Sequence, residues 1–238
     1  MIIRDGNNVP WGCIRIPKTG TKAYRLLFEE EVKKRCRCRE CYGNDISTGI
    51  CLNYLADNDV VKHYHRNYSE SKVTWSNYTN IRFFTVCRNP IARFTSSLKY
   101  LVERSYKHSY NFPHDSMDNL VEFFYNNFDR NCFPKNEKPI SEIFKIEDVS
   151  FIGTFFFTQV HWAYNPKVLV FRYENLTEYN TWLEEKFNFD ISNLKKVGVA
   201  HVNHLEHLDF TSPEFIKLTE HLFHDDFIAY DYPLIYTK

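Results

Sequence analysis

Cys13-Ile14-Arg15-Ile16-Pro17-Lys18-Thr19-Gly20-Thr21-Lys22 is the stretch on which the fold of this chain turns. Its first four residues read as a short buried strand, closed by Pro17, which cannot donate to a ladder. From Thr21 the apolar positions Ala23, Tyr24, Leu27, Phe28 and Val32 recur at three-to-four spacing, which predicts a helix to about Lys34. A strand–loop–helix junction gathers backbone N–H groups and the positive end of a helix dipole around one point, an arrangement that suits phosphate or sulfate. Gly20 lets the backbone turn closely, Lys18 adds a full charge, and Thr19 and Thr21 add hydroxyl donors. The plainer alternative is an ordinary strand-to-helix turn with an exposed lysine. A Walker A loop is excluded, because Arg15 stands where its first glycine is required.

Outward from this loop, strands and helices alternate. Val60–His65 and Ile81–Val86 read as strands, the second closed by Cys87-Arg88-Asn89-Pro90, and Lys167–Phe171 reads as a third. Pro90 suits the first turn of a helix whose buried face is Ile91, Phe94, Leu98, Leu101 and Val102. Further helices are predicted over 117–128, 177–187 and 213–223. This alternation predicts an α/β fold, a three-layer sandwich with a central parallel sheet covered on both faces. Ligands of such sheets sit at the carboxyl ends of the strands, where every candidate motif falls. With no repeat, low-complexity tract or Gly/Ser linker, a single domain over residues 1–238 is the economical expectation.

The 238 residues are 43% hydrophobic and 25% charged, so a packed core is expected and global disorder is not. Lysine plus arginine equals aspartate plus glutamate, which removes the whole-chain attraction to nucleic acid. No segment reaches the roughly 18 uncharged apolar residues that span a bilayer. The charged start, with Arg4 and Asp5, lacks the apolar core of a signal peptide. Cys36, Cys38 and Cys41, followed by Cys51, have a C-x-C spacing that suits zinc poorly; free thiols in a basic loop are expected, with a disulfide as the alternative. Sequons occur at Asn67, Asn77 and Asn175.

Pro17-Lys18-Thr19-Gly20-Thr21 resembles the 5′-phosphosulfate loop of sulfotransferases that use 3′-phosphoadenosine 5′-phosphosulfate (PAPS). In its P-K-T-G form it is similar to the carbohydrate branch, which includes the heparan sulfate 2-O and 6-O enzymes. A second stretch, Arg88-Asn89-Pro90-Ile91-Ala92-Arg93-Phe94-Thr95-Ser96, resembles the family's 3′-phosphate motif R-D-P-x-x-R-x-x-S. The guanidinium of Arg88 can fork onto phosphate, and Ser96, two turns into the helix, can add a hydroxyl. Asn89 stands where the family usually has Asp, which alters a local cap or partner. Phe157–Trp162, Val170–Leu176, His201-Val202-Asn203 and Asp225–Tyr230 are similar, in order, to later family segments of low specificity.

The resemblance implies a P-loop NTPase-like sulfotransferase fold and a set of roles. Pro17, Lys18, Thr19, Gly20, Thr21 and Lys22 would hold the 5′-phosphosulfate, and Arg88 with Ser96 the 3′-phosphate. Sulfuryl transfer to a hydroxyl requires a base for the acceptor proton. His63-Tyr64-His65 is similar to the H-x-H of the 2-O-sulfotransferases, which makes His65 the base and His63 its neighbour or a substrate contact, with Glu174 in reserve. Lys18 would meet the bridging oxygen, no metal is needed, and 3′-phosphoadenosine 5′-phosphate (PAP) is the product. Lys195-Lys196 before Gly198, and a rim of Lys99, Arg104, Lys107 and His108, are either closing and acceptor contacts or merely solvated. The acceptor class is a small molecule or glycan, with no nucleic acid and no membrane segment. A soluble cytoplasmic protein of bacterial, phage or viral origin is expected, the alternative being a Golgi-lumen domain without its anchor. Rival readings are a P-loop-like phosphotransferase and a non-catalytic PAP- or glycan-binding module.

Overall fold

Three short strands pair in parallel, two of them rich in β-branched and aromatic side chains. They are β2 (Pro10–Ile14), β3 (Arg82–Cys87) and β4 (Val168–Arg172), and β1 (Ile2–Arg4) adds an antiparallel strand beside β2. The computed structural model describes residues 2–7, 9–20, 23–24, 27–28, 80–108, 113–144, 156–194 and 205–237. The chain forms two compact units, Met1–Cys87 with His161–Val197 and Arg88–Val160 with Gly198–Lys238. No described helix is long and apolar enough to cross a membrane.

In the first unit the sheet order is β1-β2-β3-β4. Ile14 lies opposite Thr85 and Cys87 opposite Arg172, so the three parallel strands finish at one end of the sheet. Alternation splits their side chains between two faces. Trp11, Cys13, Phe84, Val86 and Phe171 pack with Tyr24, Leu27 and Phe28, and with Tyr179, Leu183 and Phe187 of the helix Leu176–Phe187. The last three recur at every fourth residue, a single stripe on that helix. Ile14, Ile16, Phe83 and Val168 pack on the other face with Trp162 and Ala163. Phe84 is fully buried, its ring within 4.9 Å of Trp182 and 6.2 Å of Phe187. Burying a side chain of that size contributes roughly 2–3 kcal/mol.

The expectation of a mixed α/β chain with a parallel sheet holds, and among the described residues the parallel set is small, three strands. The predicted strand at 60–65 lies outside the described residues, as does most of the helix after Gly20, of which residues 23–24 and 27–28 are helical. Strand β1 was not foreseen. It is held through Asp5, whose Oδ1 accepts the Asn7 and Val9 amides at 2.9 Å each. Its Oδ2 accepts the Trp11 indole N–H and the Lys186 ammonium, each at 3.1 Å.

In the second unit the helices α1 (Pro90–His108), α2 (Met117–Asn127), α3 (Ile140–Phe144), α6 (Pro213–Leu222) and α7 (His224–Ala229) surround an aromatic core. The short helix α4 (Gln159–Ala163) carries the chain from this unit to the first, and α5 is Leu176–Phe187. Phe94 stacks on Phe215 at 5.4 Å and meets Phe124 edge-on at 5.1 Å. Ser116 and Ser212 accept amide bonds from Asn119 and Phe215 and so cap α2 and α6, and Pro213 opens α6. Buried Glu220 of α6 receives the amides of Ile235, Tyr236 and Thr237, which ties the C-terminal segment down.

Burial alone would raise the Asp5 carboxyl, but the Val9 amide, the Trp11 indole, Lys186 and the Asn7 amide together bring it down to about 2. A carboxylate lowered in the folded state stabilises fully above its unfolded value and loses that contribution as pH falls towards 2. Asp5→Asn should therefore cost roughly 1–2 kcal/mol at pH 7, discounted because Lys186 reaches solvent, and flatten the acid limb of a urea-unfolding profile between pH 4 and 2.

Candidate functional site

The loop after β2 is wound by two residues in left-handed conformation, Lys18 at φ 66° and Gly20 at φ 76°. For glycine this is free; for lysine it costs roughly 1 kcal/mol. Strain of this kind persists where the surroundings over-determine the backbone, a pattern common at ligand clamps. Between them Thr19 is fully buried, and its hydroxyl donates to the Ile16 carbonyl at 2.9 Å. The hydroxyl proton that the sequence suggested for an anion thus closes the loop instead. Pro17 is buried and Lys18 half-buried. A Cβ on Gly20 would lie 2.3 Å from Cε2 of Tyr173, the residue that follows β4. The segment after β4 therefore covers the loop with an aromatic ring, a role that the sequence did not disclose.

The end of β3 leads into Arg88, Asn89 and Pro90. Asn89 accepts the amides of Ile91 at 3.0 Å and Ala92 at 3.2 Å on Oδ1, and its carbonyl accepts the Arg93 amide at 2.9 Å. Pro90 has no N–H. The Asn89 side chain thus takes the two amides that follow Pro90 at the helix start and acts as a local cap. Arg88 stands just before this helix start, and Ser96, two turns along, is half-buried. Arg93, the second arginine of the motif, is structural. It is 1% exposed, lies 4.0 Å from Asp226 and donates to the Phe157 carbonyl at 2.8 Å.

Arg88 is fixed through its backbone. Its N–H donates to Oε1 of Gln159 at 2.8 Å, and its carbonyl accepts from Nε2 of the same residue at 2.8 Å. The amides of Gln159 and Val160 donate to the Asp226 carboxylate at 2.8 and 2.9 Å. The hydroxyl of Tyr230 donates to the Gln159 carbonyl at 3.3 Å. Burial raises the Asp226 carboxyl to about 6, against the opposing pull of Arg93 and the two amides. Burial likewise pulls Arg93 down.

Several candidates lie outside the described residues: Thr21, Lys22, His63, His65, Cys36, Cys38, Cys41, Cys51, Asn67, Asn77, Lys195, Lys196, Gly198, His201 and Asn203. Glu174 is exposed in a short turn, Tyr173–Asn175. Lys99 is exposed, with its ammonium 5.6 Å from the Phe210 ring centre, and Arg104, Lys107 and His108 occupy the last turns of α1. Cys13, Cys87 and Cys132 are buried free thiols, and burial pushes Cys13 up to about 11. No protein-family model matches the chain, and no curated protein or solved structure matches it significantly.

Gly20→Ala should lower stability by about 1–3 kcal/mol, because both the backbone angle and the Tyr173 ring oppose a Cβ. Adding Tyr173→Ala should recover the steric share alone, read as a coupling energy in a double-mutant cycle. Asp226 titrates with the opposite sign to Asp5. A carboxyl raised in the folded state loses stability as pH rises from about 4 to about 6. The stability of the wild type relative to Asp226→Asn should thus fall by roughly 2–3 kcal/mol between pH 4 and pH 7 in urea unfolding. A difference independent of pH would contradict the raised value.

Proposed function

We propose that this chain is a PAPS-dependent sulfotransferase, moving a sulfuryl group to a hydroxyl acceptor, with a carbohydrate as the favoured acceptor class. The observation that carries the reading is the loop Pro17–Gly20, which follows a parallel strand and is wound through left-handed lysine and glycine. Support comes from Arg88, which follows directly on the neighbouring parallel strand and has its main chain bound on both polar groups. In this reading the loop takes the 5′-phosphosulfate, and Arg88 with Ser96 takes the 3′-phosphate. The bond from sulfur to the bridging phosphate oxygen breaks as the acceptor oxygen bonds to sulfur. Lys18 offsets the charge that grows on the bridging oxygen, and His65 accepts the acceptor's proton, with His63 beside it in sequence. The finer fold expectation, the P-loop-like sulfotransferase fold, belongs to the same proposal.

Calorimetric titration with PAP and with ATP, each with and without magnesium, tests the reading. Tight PAP binding that ignores magnesium is expected; preference for magnesium-ATP would favour a phosphotransferase, and binding of neither would sink the proposal. With PAPS and a glycan acceptor, Lys18→Ala should lower turnover on the order of 100- to 1,000-fold. His65→Ala should lower it roughly 100- to 10,000-fold. Both variants should keep the wild-type circular dichroism. Transfer by His65→Ala at the wild-type rate would remove that residue from the base role, and PAP binding without transfer to any acceptor would leave a binding module.

A further inference from the structure

We propose that Gln159 and Asp226 are positioning residues for Arg88, fixing the main chain from which the phosphate-binding guanidinium projects. The inference rests on the sulfotransferase reading and deepens it. The side-chain amide of Gln159 does for Arg88 what a neighbouring strand does for a strand residue, accepting from its N–H and donating to its carbonyl. It thus extends the hold on the chain one residue past the end of β3 at Cys87. Gln159 is itself fixed at its own N–H by Asp226 and at its carbonyl by Tyr230. The Asp226 carboxylate also takes the Val160 amide and lies against Arg93, which in turn binds the carbonyl of Phe157, two residues before Gln159.

Gln159 and Asp226 are fully buried, and Arg93 is 1% exposed. Buried ionic and amide groups rarely stabilise a fold better than well-packed apolar side chains of the same volume, and where they persist they define one arrangement. Here the arrangement defined is the peptide of Arg88. A guanidinium sits at the end of a long side chain, so a small rotation of that peptide moves it by more than hydrogen-bond tolerance.

The test measures affinity for two nucleotides, PAP and adenosine 5′-phosphosulfate, which lacks the 3′-phosphate. Gln159→Met, apolar and of similar length, should weaken PAP roughly 10- to 100-fold, the loss expected of a misaligned charge-assisted hydrogen bond. Adenosine 5′-phosphosulfate should bind as it does to the wild type. Gln159→Asn, too short to reach both groups of Arg88, should show the same selectivity and carries the test if the methionine variant does not fold. Thr219→Val, which removes another fully buried hydrogen bond of the second unit, should lower the melting temperature while leaving both affinities unchanged. If both ligands weaken together in the Gln159 variants, or PAP binds them as it binds the wild type, the positioning role is wrong although the proposed function stands. If the wild type itself fails to bind PAP, the function falls first and this inference with it.

Discussion

Parallel pairing sends β2, β3 and β4 out of the sheet at one end, and a parallel strand cannot be reached from its neighbour by a tight turn. The exits of β2 and β3 must therefore begin long connections. Ile14 opens the path that winds through Lys18 and Gly20, and Cys87 opens the path that starts with Arg88, Asn89 and Pro90. Arg172 opens the turn whose first residue, Tyr173, covers Gly20. One pairing geometry thus determines which residues become loops, and the aromatic packing on both faces of the sheet makes that geometry stable.

The connection that leaves β3 is also where a second structural unit is built. Residues 88–160 lie between β3 and β4, and residues 198–238 join them to complete a helical unit with its own phenylalanine core. That unit contains no described strand element, so its side chains converge by helix packing and by buried polar residues that include Arg93, Gln159 and Asp226. Two buried carboxylates, Asp5 in the first unit and Asp226 in the second, show how environment decides behaviour. Asp5 faces four donors and drops to about 2, while Asp226, more deeply buried, rises to about 6 despite Arg93 and two amides beside it.

What could be read from the residues was local. Strands at 82–87 and 168–172, and helices starting at Pro90, Met117, Leu176 and Pro213, announced themselves through apolar periodicity and capping residues, within a residue or two. The strand–loop–helix setting of Lys18 was legible for the same reason. Contacts between distant segments left no local trace. Gln159 and Arg88 lie 71 positions apart, and nothing in the periodicity of either segment indicates that they meet. Asp5, Trp11 and Lys186 converge in the same fashion, which is why β1 escaped notice. Thr19 shows the subtler failure: a hydroxyl beside a lysine looks like a ligand donor until its partner, the Ile16 carbonyl, is seen.

If Lys18 has the proposed role at the bridging oxygen, its left-handed backbone sets stability and chemistry against each other at a single codon. Glycine would relax that angle at no steric cost while deleting the ammonium. A library screened only for heat resistance should accordingly drift towards glycine there, whereas one screened for turnover should retain the strained lysine. The residue that enriches would report, without any ligand assay, which of the two pressures has shaped the loop.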